Sequence, residues 1–151
     1  MKNVLLSIFV LSVCAFCACK KTNNGSTSVT IQANVNGFPW VSTYATADLA
    51  KSPGTQITIM ADSVNTHMKL HIDNYTGVGT YNLSDTSNTA YYISYDKATG
   101  PETHNATSGQ IIVIPSSGTD DTHTQINGTF FFNADAVTVK TGTFAVHLSV
   151  D

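Results

Sequence analysis

Val29-Thr30-Ile31-Gln32-Ala33-Asn34-Val35-Asn36-Gly37 is the stretch whose reading decides the fold of this chain. Val29, Ile31, Ala33 and Val35 alternate with polar residues, which is the period of a half-buried strand. Asn36-Gly37 then supplies the residue types that accept the positive φ values of a tight hairpin turn. The same signature recurs downstream. Ile57, Ile59 and Ala61 alternate after Pro53-Gly54; Met68, Leu70 and Ile72 do so again; Tyr81 and Leu83 follow Gly79. Tyr91, Ile93 and Tyr95 alternate against Ala90, Tyr92 and Ser94, which assigns Tyr92 to the face away from the core. Ile126, Phe130 and Phe132 share one face around Gly128, and Phe144, Val146, Leu148 and Val150 share one face of the last strand. Gln110 to Ile114 lacks alternation and ends at Pro115, as expected of a central strand covered on both faces. Helical periodicity is nearly absent; only Tyr44 to Lys51, with its Ala and Leu, reads as a helical turn. Short alternating runs joined by Gly, Pro, Asn and Asp turns predict an all-β domain over residues 29–151, an antiparallel β-sandwich or flattened barrel. Its core is expected to hold Trp40, Tyr81, Phe130, Phe132 and Phe144.

Upstream of this domain the pattern changes. Lys2 precedes an apolar run from Val4 to Val13, and small Ala18 stands before Cys19, so residues 1–18 read as a cleaved signal peptide. Phe16-Cys17-Ala18-Cys19 resembles the lipobox of bacterial lipoproteins, with Phe16 and Cys17 departing from it. Cys14 follows Val13 and Cys17 follows bulky Phe16, which leaves Cys19 as the acyl acceptor. An uncleaved membrane helix is the competing reading, but the apolar stretch falls short of the ~20 residues that span a bilayer, and Lys20-Lys21 stop it. Cys14-Ala-Phe-Cys17 has redox-motif spacing yet lies within the signal and would be removed with it. With Cys19 acylated, the mature chain has no thiol for a disulfide, a metal site or a nucleophile. Residues 19–28 are polar and Gly/Ser-containing, a tether of roughly 30 Å when extended. Lys20 after the cysteine, where Asp would retain the protein at the inner membrane, favours the outer membrane. The absence of acidic residues through Asn24 favours a domain facing the periplasm.

The composition excludes some partners. Only 11% of residues are charged, every basic one is Lys, and the net charge is −3, so no Arg-rich surface for nucleic acid is available. No cofactor motif occurs: there is no Gly-rich phosphate loop, nucleophile elbow or His-Glu-x-x-His helix. His67 and His71 have the spacing of a metal pair on a helix, but on an extended strand they stand roughly 13 Å apart. With Lys69 and Asp73 they form a polar stripe opposite Met68, Leu70 and Ile72, most simply a solvated face. Asp120-Asp121 lacks the alternating carboxylates of a calcium loop and reads as an exposed turn. Tyr75, Tyr92 and Phe131, in turns or opposite the core pattern, are the candidate ligand-facing aromatics. Asp62-Ser63-Val64 resembles the Asp-Ser/Thr-aliphatic site at which Bacteroidota attach O-glycans, making Ser63 a candidate acceptor.

Asn36-Gly37-Phe38-Pro39-Trp40, Gly79-Thr80-Tyr81-Asn82-Leu83, Asn127-Gly128-Thr129-Phe130 and Gly142-Thr143-Phe144 together resemble a family of small Bacteroidota lipoproteins of unknown function. The resemblance spans essentially the whole mature chain, and it implies a fold and an anchor but no activity. The functional expectation is therefore a lipid-anchored envelope protein with a non-enzymatic binding or structural β-domain. Two alternatives stand beside it: a carbohydrate- or peptide-binding accessory of an outer-membrane uptake system, and an envelope hydrolase. The first requires a concave aromatic patch. The second requires a pocket that joins a His, a carboxylate and a Ser or Thr.

Overall fold

A computed structural model describes residues 30–51, 54–83, 87–116, 119–120 and 123–150, and none of these is helical. The strands are β1 (Thr30–Val35), β2 (Phe38–Val41), β3 (Tyr44–Ala50), β4 (Gln56–Ser63), β5 (Thr66–Ile72), β6 (Gly79–Asn82), β7 (Thr89–Asp96), β8 (Gly100–Asn105), β9 (Ser108–Ile114), β10 (Thr119–Asp120), β11 (His123–Ala134) and β12 (Val137–Val150). They form one sheet in the order β6-β9-β11-β12-β3-β4-β5-β7-β8, with β1 on β12, β2 on β1 and β10 on β11. Long β12 is the spine. β11 runs along one side of it, while the other side is shared by antiparallel β1, from Val139 to Ala145, and by the parallel end of β3, from Leu148 to Val150. The sheet curls into an open half-barrel around a single core.

The core forms because each strand sends alternate residues inward. Ile31, Ile57, Ile59, Met68, Leu70, Ile72, Ile111, Phe130, Phe132, Val139 and Val146 are almost fully buried, and Trp40 and Phe144 join them at 7% and 3% exposure. The β1–β2 turn is Asn36-Gly37, with φ values of 51° and 89°, the handedness that matches the twist of two adjoining strands.

The two Gly-Thr-Phe segments explain each other. Gly128 faces Phe144, and Phe130 faces Gly142, across the β11–β12 ladder. A Cβ on Gly128 would lie 2.3 Å from the Phe144 ring, and one on Gly142 would lie 2.6 Å from the Phe130 ring. Each phenyl ring thus covers the bare backbone of the glycine opposite, and the two rings meet diagonally, tilted by 33° with centroids 6.4 Å apart. Paired antiparallel, a repeated Gly-x-Phe generates this arrangement twice.

Four expectations need correction. Tyr44–Ala50 is a strand with no helical turn, because Ala45 and Ala47 point inward and the segment pairs with both β4 and β12. The Gln110–Ile114 segment lies between β6 and β11 as a central strand, but it is covered on one face only. Ile111 and Val113 are buried while Ile114 is 45% exposed, since a single curled sheet leaves its outer face to solvent. In β7 the phase is opposite to the expectation: Ala90 and Tyr92 point inward and Tyr95 outward. Register decides this, because Ala90 and Tyr92 stand opposite Leu70 and Met68, the buried residues of β5. Tyr81, expected in the core, is half-buried at its margin.

Candidate functional site

Three hairpins meet at one end of the half-barrel and enclose an open cleft of ≈ 530 Å³. One wall is the β1–β2 hairpin with Val35, Phe38, Pro39 and Trp40; the other is the β7–β8 hairpin with Tyr92, Ser94, Glu102 and His104; Ala136 and Val137 of the β11–β12 turn close the base. The volume falls in the range of small-molecule sites.

Local chemistry holds each wall. Asn36 joins two hairpins: its N–H donates to the Thr138 carbonyl (2.9 Å), its Oδ1 accepts from the Thr138 N–H (2.7 Å), and its Nδ2 donates to the Ala136 carbonyl (3.3 Å). Trp40 Nε1 donates to Thr66 Oγ1 at 2.7 Å, which ties β2 to the β4–β5 hairpin. In the β7–β8 turn, Asp96 Oδ1 accepts from the N–H groups of Ala98 (2.6 Å) and Thr99 (3.2 Å), an Asx-type clamp that sets the turn. Tyr92 stacks on His104 with ring centroids 6.4 Å apart, and both are buried in the wall. His104 Nε2 lies 3.8 Å from Glu102 Oε2, whose side chain is 71% exposed at the rim. Phe38, 75% exposed, offers its ring to the opening. Among the described residues the lining contains one carboxylate and no lysine.

The predicted aromatics do not converge. Tyr92 lines the cleft from the inner face. Phe131 is exposed on the outer face of β11, and Tyr75 stacks on Tyr81 at 6.0 Å in the connection between β5 and β6. Burial, and then the neighbouring Tyr81 hydroxyl, hold the Tyr75 phenol above its ordinary value of 10.0. Phe38, Ser94 and Glu102 were not singled out by sequence. The available signal was Asn36-Gly37, which marks where β2 turns back, together with a proline in each of β2 and β8.

A second cluster lies on the outer face of β4, β5 and β7. Thr58 Oγ1 is 2.8 Å from His71 Nδ1, and His71 Nε2 is 3.0 Å from Asp73 Oδ1. An ionised Asp73 only accepts, so Nε2 carries the proton and Nδ1 accepts from the Thr58 hydroxyl. His67 bonds to Asp62, and its ring lies 5.9 Å from Tyr91, over which the Lys69 ammonium sits at 5.7 Å. His67 and His71 thus share a face but hold different carboxylates. Among the described residues no three His, Cys, Asp or Glu side chains gather at one point.

The hydroxyl–imidazole–carboxylate order around His71 is that of a hydrolytic triad, but its surroundings are not. β4 and β5 are each flanked by two strands, so their backbone N–H groups are committed to ladders and none is left for an oxyanion hole. In the cleft, Ser94 and His104 make no hydrogen bond to each other. Ser63 begins the β4–β5 turn beside Val64, which is 85% exposed, and Asp62 is held by His67. Cys19 and Asp121 lie outside the described residues; Asp120 is in β10.

No curated protein and no solved structure matches this chain. A family model matches residues 27–146, from the start of the β-domain to within its last strand, and the chain belongs to that family, a domain of unknown function (DUF6252).

Proposed function

We propose that this protein is a lipid-anchored component of the bacterial envelope whose β-domain is a non-enzymatic binding module. Cys19 carries the lipid, residues 19–28 tether the domain, and the protein sits at the outer membrane facing the periplasm. The similarity to Bacteroidota lipoproteins and the Lys20-Lys21 start of the tether support this placement. Ser63, at the tip of an exposed hairpin, is the proposed O-glycan acceptor. The observation that carries the binding role is the cleft, in which Phe38, Trp40 and Tyr92 line a concave surface beside the polar groups Ser94, Glu102 and His104. It is the concave aromatic patch that a carbohydrate- or peptide-binding accessory of an uptake system requires. A hydrolase is less well supported, because neither His-containing cluster supplies the donors an acyl-transfer transition state needs.

Two measurements test the reading. A fragment screen followed by methyl NMR should place hits at Val35 and Val137, and hits scattered over the surface would refute a binding cleft. Palmitate labelling should acylate Cys14→Ala and Cys17→Ala variants and fail with Cys19→Ala; normal labelling of the last would disprove the anchor.

A further inference from the structure

We infer that the cleft takes an uncharged glycan, seated with one sugar face on Phe38 and its hydroxyls directed at Ser94, Glu102 and His104. This rests on the cleft being a binding site and specifies its ligand.

Peptide capture by strand addition is the main competitor, and the strand edges oppose it. Among the described residues β2 pairs only with β1 and β8 only with β7, so these two strands flank the cleft with an edge each that no described strand covers. An added strand needs a row of N–H donors from such an edge. Pro39 stands in β2 and Pro101 in β8, and neither has an N–H. A proline is tolerated in a ladder where its missing donor faces away from the partner strand, which places both gaps on the free edges. The walls therefore read a ligand through side chains.

Those side chains select by charge and shape. Among the described residues of the lining Glu102 is the only formally charged one, so uronates, phosphates and peptide carboxylates meet repulsion and no cation there. A carboxylate has two oxygens that accept from adjacent hydroxyls, as a sugar diol presents them, and Ser94 and His104 each add a donor or acceptor. Asn36 is excluded, because its amide is spent on Ala136 and Thr138. The exposed Phe38 ring has an electron-rich face that attracts the polarised C–H bonds of a pyranose.

Trp40 is the only tryptophan of the chain and lines the cleft, so its emission reports occupancy. The experiment titrates the full lipidated protein, in a polyoxyethylene detergent free of sugar headgroups, with neutral hexasaccharides: cello-, malto-, xylo-, manno- and fully N-acetylated chito-series. Hexagalacturonate, the deacetylated chitosan hexamer and an alanine-serine decapeptide are the contrasting probes. At least one neutral series should saturate the Trp40 signal, with Phe38→Ala and Glu102→Gln each weakening it at least tenfold and hexagalacturonate and the peptide inert. Phe38 is exposed, so its truncation leaves the core intact. No response to any neutral series, response only to a charged probe or the peptide, or undiminished binding by Phe38→Ala would each overturn the glycan assignment. Fragment hits at Val35 and Val137 alongside such a failure would leave the cleft standing as a site for another ligand.

Discussion

Phe144 shows how much one side chain does in this domain. It is 3% exposed, meets the Phe130 ring diagonally in a tilted contact and covers Gly128. Truncating a buried phenylalanine removes its transfer energy and leaves a cavity, so Phe144→Ala should cost ~3–5 kcal/mol, measured by urea unfolding. That is a large share of what holds a domain of this size. An unchanged midpoint would contradict the burial. The reciprocal position tests overpacking. At Gly142 the three atoms nearest an added Cβ all belong to the Phe130 ring, so Gly142→Ala should lose ~1–3 kcal/mol. Phe130→Leu loses packing of its own but shrinks the obstacle. The double variant should therefore be more stable than the sum of the two losses, and strict additivity in the cycle would show that the ring does not lean on the glycine.

At the scale of elements, β12 is two half-strands out of phase. Val137 and Val139 point inward at odd positions, and Gly142, Phe144 and Val146 at even ones. The change comes at a bulge in which Lys140 and Thr141 oppose Phe131, with Thr141 at φ 48°. Bulges of this kind bend a strand and raise its twist, which helps a single sheet curl far enough to close on itself. The free edges of β2 and β8 need protection, and Pro39 and Pro101 supply it. Replacing both by valine restores an N–H to each edge. The double variant should self-associate through edge pairing, seen as dimer or larger species in size-exclusion chromatography with light scattering, and a strictly monomeric variant would show that the prolines are not the guard.

For the whole molecule, the curl separates two surfaces that the linear chain interleaves. His104 is buried in the cleft wall while His67 and His71 occupy the outer face, so these imidazoles do not converge on one ion. Isothermal titration of the full protein with zinc should accordingly show no stoichiometric submicromolar site; a site lost in a His67→Ala/His71→Ala variant would refute the assignment of that face. What the sequence determined by itself was the class and the units: period-2 runs of Ile, Val and Phe between Asn-Gly, Pro-Gly and similar turns have no stable alternative to strands. It also determined the buried aromatics Trp40, Phe130, Phe132 and Phe144, because alternation within a run is a local property. Tertiary structure alone decided the rest. The phase of β7 depends on Met68 and Leu70 across the ladder, and the strand character of Tyr44–Ala50 depends on β4 and the distant end of β12. The cleft joins residues 35–40, 92–104 and 136–137, three hairpins that meet only when the sheet curls. Its chemistry is a matter of long-range pairing register, which no window of sequence contains.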